Sequence, residues 1–228
     1  FDWPMVGNEP GRVLGLISKE DAIALGGSGA DINFLRALGN SLLFTGIIVV
    51  TQIFCAAMAA YAFARLRFPG REVLFGLFIG SMMVPGVVTF IPNFILIKDL
   101  GWLNTMAGMV APFCLMQGFS VFFLRQFFLS IPRDLEEAAR LDGASEFKIY
   151  RTVMLPLVKP TLVTLAVISV LWRWNDVLWP LLVNSDRNLY TVTQGLAMAG
   201  RSGGLYAGVA MATAAMAILP VVVAYVIF

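Results

Sequence analysis

The chain has 228 residues, of which 59% are hydrophobic and 13% are charged, and its mean hydropathy is +0.82. Because soluble domains carry about 25% charged residues, so apolar a chain cannot cover itself with polar side chains, and lipid must contact most of its surface. The formal net charge of +2 gives no reason to expect nucleic acid as a partner. There is no histidine, and Cys55 and Cys114 lie in apolar runs without ligand spacing, so we expect no metal site and no cofactor.

In chain order, residues 1–35 come first; they are polar, contain a glycine-rich tract, and are typical of a loop outside the membrane. Five apolar stretches follow, each of at least 22 residues and therefore long enough to cross a hydrocarbon core of about 30 Å as a helix. They are Ser41–Ala64, Val73–Ile97, Leu103–Leu124, Pro160–Val183 and Leu205–Phe228. The predicted fold class is all-α, a polytopic membrane helical bundle with five spans in this chain.

The basic residues set the orientation. The connection after the first span holds three arginines and the connection after the third holds six Lys and Arg, so nine of the sixteen basic residues lie on one side. The positive-inside rule places both connections in the cytoplasm and residues 1–35 outside. Because the chain starts outside, at Phe1, and ends within an apolar run, we expect both ends to continue in the gene product, with six spans in the full protein.

The loop over residues 130–157 predicts two short helices at an angle, on the cytoplasmic side of the membrane. Ser130 is a candidate N-cap for the first helix, and Gly143 is a natural stop because glycine enters left-handed geometry without strain. Ser145 can cap the second helix, which ends near Pro156. Leu135, with its alanine neighbours, offers a small apolar surface for a partner protein.

A spaced motif within this loop resembles the EAA loop of binding-protein-dependent importer permeases. Glu137-Ala138-Ala139 is followed after three residues by Gly143 and after nine more by Val153-Met154-Leu155-Pro156, where the family has Ile in place of Val153. The resemblance implies a coupling helix that docks in a cleft of a separate ATPase subunit. The charges of Glu137 and Arg140, at the rim of the loop's apolar surface, can pair with charges of a partner protein. The residues that the resemblance assigns to this ATPase coupling are Glu137, Ala138, Ala139, Arg140, Gly143, Leu155 and Pro156.

Five other segments are similar to the maltose-type (MalG-like) carbohydrate permeases. They are Asn40–Leu42, Ala60–Leu66, Val84–Gly86, Phe127–Pro132 and Trp174–Trp179. Over residues 36–228 the resemblance implies one transmembrane permease domain of an ABC importer in a bacterial or archaeal plasma (inner) membrane. It also implies an ABC ATPase dimer, a second homologous permease and an extracytoplasmic solute-binding protein as partners. The implied cargo is a carbohydrate or a related polyol.

The fourth span is the one that contains charged residues, Arg173 and Asp176, which are three positions apart and can pair on one helix face. Trp172, Asp176 and Trp179 share the same predicted face, and Asn175 lies beside them. An acid between indoles suits a sugar pathway, because sugar rings stack on aromatic planes and carboxylates accept hydroxyl protons. The other interpretation, which we favour, is that Trp179 belongs to the outer aromatic belt and the polar residues brace packing against a partner permease.

Two other classes of protein fit the sequence less well. A secondary carrier needs paired acids at mid-membrane and internal pseudo-symmetry, and Asp176 is the one acid that fits. An intramembrane enzyme needs a catalytic cluster or a nucleotide-binding motif, and the sequence has no histidine and no G-x-x-x-x-G-K-[ST]. The sequence therefore favours a transport subunit without a catalytic site, energised by ATP hydrolysis on separate subunits.

Overall fold

The computed structural model describes residues 34–201, two short strands before them and five single positions near the C terminus, 214, 215, 217, 218 and 222. The strands, Arg12–Val13 (β1) and Ile17–Ser18 (β2), pair antiparallel, with Arg12 opposite Ser18. They are a small addition to the loop predicted over residues 1–35, most of which lies outside the described residues. So does nearly all of the fifth predicted span, Leu205–Phe228.

The first predicted span is confirmed as one long helix, α1, over Phe34–Arg65. Its 32 residues contain no proline, and its second half is rich in alanine, the strongest helix former. At about 1.5 Å per residue the helix exceeds the thickness of a hydrocarbon core. It stops shortly before Pro69-Gly70, where Gly70 has a φ of +78°.

The next two predicted spans are each broken into two helices. The second consists of α2 (Arg71–Ser81) and α3 (Gly86–Asp99), separated by a break that ends at Pro85. Proline has no backbone N–H and disfavours helical geometry in the residue before it, so a continuous helix cannot pass this point unaltered. The third consists of α4 (Met106–Val110), a 3₁₀ turn (Ala111–Phe113) and α5 (Gly118–Ser130).

The fourth predicted span has different limits from those expected. After α5 come α6 (Asp134–Leu141), α7 (Glu146–Ile149), a π turn (Tyr150–Met154), α8 (Leu155–Leu157), α9 (Lys159–Trp174), α10 (Leu178–Val183), a 3₁₀ turn (Arg187–Leu189) and α11 (Val192–Arg201). The stretch Pro160–Val183 is thus interrupted at residues 175–177. By apolar length, α9 forms a candidate span together with the helical segment Glu146–Leu157, at a bend of 72°. Within the described residues there is one unbroken candidate span, or four if each bent pair is one span.

The chain divides into two compact units, each with its own core. Unit 1 comprises residues 1–47, 90–112 and 170–228, and unit 2 comprises residues 48–89 and 113–169. The core of unit 2 lies where α1, α5 and the helices of the 130–157 loop pack together, and its fully buried side chains include Leu124, Phe128, Ile149 and Met154. In unit 1 the largest fully buried side chain is Trp179.

Candidate functional site

The 130–157 loop forms the predicted pair of helices, but the first of them begins later than expected. Ser130 is the last residue of α5, and its hydroxyl donates to the Phe127 carbonyl at 2.8 Å. The prediction that Ser130 caps the next helix is therefore wrong. The reason is local: Pro132 favours extended geometry in the residue before it, and Ile131 has φ −76° and ψ +133°. Helix α6 starts afresh at Asp134.

The turn between the two helices follows the prediction. Gly143 has a φ of +76°, in the left-handed region, and its N–H donates to the Arg140 carbonyl at 3.0 Å. The Ser145 hydroxyl then accepts from the Lys148 N–H at 3.4 Å, at the start of α7. The helix stop and the second cap are both confirmed.

Some motif residues face outward, and others support the loop from within. Glu137, Ala138 and Pro156 are exposed, whereas Ala139 and Leu155 are half-buried and pack against the core of unit 2. This arrangement divides the motif into residues that can contact a partner and residues that seat the helices on their own unit.

Two exposed apolar side chains near the turn were not predicted. Leu141 ends α6 with 90% of its surface exposed, and Phe147 in α7 is 64% exposed. Together with Leu135, Glu137 and Ala138 they form a set that we call the coupling surface. A group of exposed apolar side chains bordered by polar residues is typical of an interaction site. The sequence could have indicated this surface, because Leu141 shortly precedes Gly143 and Phe147 shortly follows Ser145, so both lie next to the predicted turn.

A buried ion pair connects α6 to the end of α1. Arg65 Nε lies 2.9 Å from Glu136 Oε1, and the two side chains are only 3% and 4% exposed. Arg65 Nε and Glu136 Oε1 form an ion pair without a hydrogen bond, whereas Arg65 Nη2 donates to the carbonyls of Phe128 and Ile131, at the end of α5. One guanidinium therefore joins the last residue of α1, the last turn of α5 and the first turn of α6.

A second set of contacts lies one helical turn earlier on α1. The Tyr61 hydroxyl donates to Glu146 Oε2 at 3.2 Å, and Arg140 Nε donates to Glu146 Oε1 at 2.8 Å. Arg140 Nη2 also lies 3.5 Å from Glu136 Oε2. Tyr61 and Arg65 on α1 and Glu136, Arg140 and Glu146 of the helix pair therefore form one ring of contacting side chains. The hydrogen bond from Arg140 holds the pKa of Glu146 below its usual range.

This ring alters the expectation for Arg140. The side chain was expected to pair with a charge on a partner protein, but it is held by Glu146 and Glu136 of its own chain. The sequence spacing indicates which of these residues share a helix face. Glu136 and Arg140 are four residues apart on α6, and Tyr61 and Arg65 are four residues apart on α1. Nothing in that spacing says that the two helices face each other.

The segment Trp172–Trp179 does not form the continuous helical face that was predicted. Helix α9 ends at Trp174, and α10 starts at Leu178. The predicted pair is nevertheless present, with Arg173 Nη1 at 3.2 Å from Asp176 Oδ2. Asp176 also accepts from the Trp179 N–H at 3.5 Å through Oδ1, so its carboxylate caps the start of α10. The Asn175 side chain donates to the Leu171 carbonyl at 2.8 Å.

The two tryptophans of this segment lie in different surroundings. Trp179 is fully buried, and its indole N–H donates to the Met109 carbonyl at 3.0 Å. Its ring centroid is 6.1 Å from that of Phe90. Trp172, by contrast, is 53% exposed. Trp179 is therefore packed inside unit 1, neither open to a pathway nor exposed as a residue of an outer aromatic belt.

A hydrogen-bonded loop next to this segment was not predicted. Asn40 on α1 donates to the carbonyls of Asn188 and Tyr190, at 2.9 and 3.1 Å. The Ser41 hydroxyl accepts from the Val192 N–H at 2.9 Å. These contacts fix residues 188–192 against the start of α1. Elsewhere in the part of the chain that is described, no three Cys, Asp or Glu residues converge as a metal site would require.

Residues 52–228, more than half of the chain, match the family described as "Binding-protein-dependent transport system inner membrane component". The chain belongs to this family. It is thus an inner-membrane transport component, and the predicted membrane helical fold and the family resemblance are confirmed.

Several curated relatives carry carbohydrate or glycerol phosphate names. The chain is 34% identical to the "Arabinooligosaccharides transport system permease protein AraQ" of Halalkalibacterium halodurans over 83% of this chain and 68% of the relative. It is 38% identical to the "sn-glycerol-3-phosphate transport system permease protein UgpE" of Brucella abortus over 72% of this chain and 58% of the relative. The "Diacetylchitobiose uptake system permease protein NgcG" of Streptomyces coelicolor is 31% identical over 87% and 67%. The chain thus spans about three fifths to two thirds of the length of these inner-membrane components.

Solved structures of importers have the same fold. A bacterial ABC transporter involved in the import of the acidic polysaccharide alginate matches with a TM-score of 0.75 and 28% identity, over 95% of this chain and 81% of the other. A chain of the MetNI methionine ABC transporter in inward-facing conformations matches with a TM-score of 0.66 over 84% and 91% of the two chains. At 18% identity the second likeness concerns the fold alone.

Proposed function

We propose that this family member is the transmembrane permease subunit of an ATP-driven ABC importer that translocates a carbohydrate or a related polyol. The names of the arabinooligosaccharide, glycerol 3-phosphate and diacetylchitobiose relatives support a polyhydroxylated cargo. The alginate importer, at 28% identity, supports the same class. The chain itself carries no catalytic site, and hydrolysis takes place on partner subunits.

The observation that carries this proposal is the geometry of the coupling surface. Glu137 and Ala138 of the motif are exposed, as are Leu141 and Phe147, on a helix pair joined by the left-handed turn at Gly143. An exposed apolar knob with charges at its rim fits a cleft on another protein. The partner we propose for it is one subunit of an ABC ATPase dimer.

In the proposed cycle, ATP binding closes the ATPase dimer, and each ATPase subunit moves the helix pair seated in its cleft. The displacement reorients the membrane helices and switches the pathway between inward-facing and outward-facing states. A second homologous permease completes the pathway, and an extracytoplasmic solute-binding protein delivers the cargo. Trp172, Asn175 and Asp176 remain proposed pathway residues, whereas we propose a structural role for Trp179, because it is buried.

The test is reconstitution of the whole transporter in liposomes, with ATP hydrolysis and cargo uptake measured together. Cargo probes are maltose, an arabinooligosaccharide and glycerol 3-phosphate, each bound to the companion binding protein. Glu137→Trp and Gly143→Val are expected to leave membrane insertion intact and to abolish ATP-dependent uptake. The matched control is Glu72→Trp, since Glu72 is an exposed acid on the predicted cytoplasmic side.

Two results would contradict the proposal. The first is normal uptake by Glu137→Trp with the ATPase still bound. The second is uptake by the unaltered protein that continues without ATP, which would favour a carrier driven by an ion gradient.

A further inference from the structure

A coupling surface needs a mechanical connection to the membrane helices before a partner's movement can have any effect. The backbone supplies one connection, from α5 through Ile131, which is extended, to α6. A connection interrupted by an extended residue is a poor lever, because rotation about its backbone dihedral angles can absorb a displacement. The side chains that join α6 to α1 and α5 are therefore the elements that could transmit a displacement.

Arg65 and Glu136 have the properties that such a joint requires. The two side chains are almost completely buried, and the salt bridge is 2.9 Å long. Nη2 of the guanidinium donates to two backbone carbonyls at the end of α5, while Nε faces the Glu136 carboxylate at ion-pair distance without a hydrogen bond. Separating α6 from α1 would leave an unpaired charge in a low-dielectric interior, so the three helix ends move together rather than apart.

The surrounding contacts make the joint stiff against rotation as well. Tyr61, one turn before Arg65 on α1, bonds to Glu146 of α7. Arg140 bonds to Glu146 and lies within ion-pair distance of Glu136. The helix pair is thus attached to α1 at two points about one helical turn apart, which fixes its angle to that helix.

We propose that the buried Arg65–Glu136 ion pair is the joint that transmits movement of the coupling helix α6 to the membrane helices α1 and α5. Arg65 and Glu136 are positioning residues in this role, since neither has to touch the ATPase or the cargo. The inference rests on the proposed function of the chain as an importer permease. A purely structural role for the pair would instead be limited to folding the 130–157 loop.

The decisive variant is Arg65→Lys in the complete transporter. Lysine keeps the positive charge, and with it the pairing with Glu136, but its single ammonium cannot reproduce the planar fork that reaches the carboxylate and both carbonyls. We expect the ATPase to co-purify as before and basal ATP hydrolysis to continue. The ratio of hydrolysis with cargo-loaded binding protein to hydrolysis without it should fall about fivefold or more.

A second variant removes the ion pair while keeping the site filled. Arg65→Met combined with Glu136→Leu places apolar side chains in the buried site, a replacement that often preserves folding. Apolar packing is non-directional and does not fix the angle between helices as the ion pair together with the hydrogen bonds of Arg65 does, so we expect the same loss of stimulation with assembly retained. The matched control is Arg67→Lys, because Arg67 is exposed and lies two residues further along the chain.

The outcomes separate this inference from the proposed function. If the unaltered transporter shows no ATP-dependent uptake, the proposed function fails. If the unaltered transporter works and Arg65→Lys keeps the stimulation ratio within twofold of it, the joint is not at this pair. If Arg65→Lys loses the ATPase altogether, the pair only folds the loop, and the inference is likewise overturned. The double variant then shows whether charge or volume holds the loop.

Discussion

Two arginine–carboxylate pairs, one in each unit, illustrate different uses of the same chemistry. Arg65 and Glu136 are far apart in sequence, almost fully buried, and join three helix ends. Arg173 and Asp176 are three residues apart, with 13% and 16% of their side chains exposed, and they brace the break between α9 and α10. The first pair holds separate elements together, whereas the second stabilises a local interruption. Burial and sequence separation, more than distance between charges, distinguish a joint from a brace.

The difference between the two pairs is tested most directly by removing the carboxylate from each of them. Glu136→Gln leaves a buried arginine without its counter-ion, and we expect a loss of stability of about 3–5 kcal/mol. Asp176→Asn should cost less, because part of that pair is accessible and the amide oxygen can still cap α10. Thermal unfolding of each purified variant in detergent measures the difference. Equal losses would mean that burial does not separate the two pairs.

The packing next to the Arg173–Asp176 pair in unit 1 is tested further at Trp179. Trp179→Phe keeps much of the buried volume but removes the indole N–H that donates to the Met109 carbonyl. We expect a loss of about 1–3 kcal/mol from the unsatisfied carbonyl and the smaller ring. The control is Trp172→Phe, at an exposed position, which should change the unfolding temperature little. A large shift in the cargo concentration for half-maximal uptake, with stability unchanged, would show that Trp179 lines the pathway instead.

A substitution in the turn of unit 2 should change the free energy of unfolding less, and its matched control should change it in the opposite direction. Gly143 has a positive φ and no atom within 4 Å of an added Cβ, so Gly143→Ala costs only backbone strain, about 1–2 kcal/mol. Gly76, inside α2, also has open space around it but is helical, so Gly76→Ala should be neutral or stabilise by up to about 1 kcal/mol. The same unfolding measurement compares the two. Equal destabilisation would mean that the turn conformation is not the cause.

The smallest expected effect concerns the second attachment of the helix pair. Tyr61→Phe removes one hydrogen bond to Glu146, and we expect a loss of about 0.5–1.5 kcal/mol. Combining it with Glu136→Gln should give a loss that differs from the sum of the two single losses, because both residues belong to one ring. Strict additivity in this double-mutant cycle would show that the two attachments act independently.

The sequence predicted those features that depend on local spacing. The long apolar stretch of α1, the stop at Gly143, the cap at Ser145 and the pair Arg173–Asp176 all follow from residues a few positions apart. The spaced motif from Glu137 to Pro156 identified the family, which the comparison confirmed. Each of these inferences needs only helix periodicity, capping chemistry or a matching pattern.

What the sequence did not predict depends on which elements face each other. Arg65 was counted only as a basic residue that sets orientation, because no spacing rule connects it with Glu136. The break at residues 175–177 was not predicted because the length of the surrounding apolar stretch was given more weight than Asn175 and Asp176, which favour helix caps over helix interiors. The prediction of a shared face for Trp172 and Trp179 assumed an uninterrupted helix and failed for that reason. Ser130 failed as a cap because the effect of Pro132 on Ile131 was not considered.

The exposure of Leu141 and Phe147 has a consequence for the life of the protein before assembly. A newly made chain presents these two side chains to the aqueous phase rather than to lipid, so the bilayer cannot shield them. Until the proposed ATPase partner covers them, they are available to any other apolar surface in the cytosol. Under the proposed function, production of this subunit in excess of that ATPase should therefore lead to aggregation or proteolysis, and balanced synthesis of both chains should prevent it.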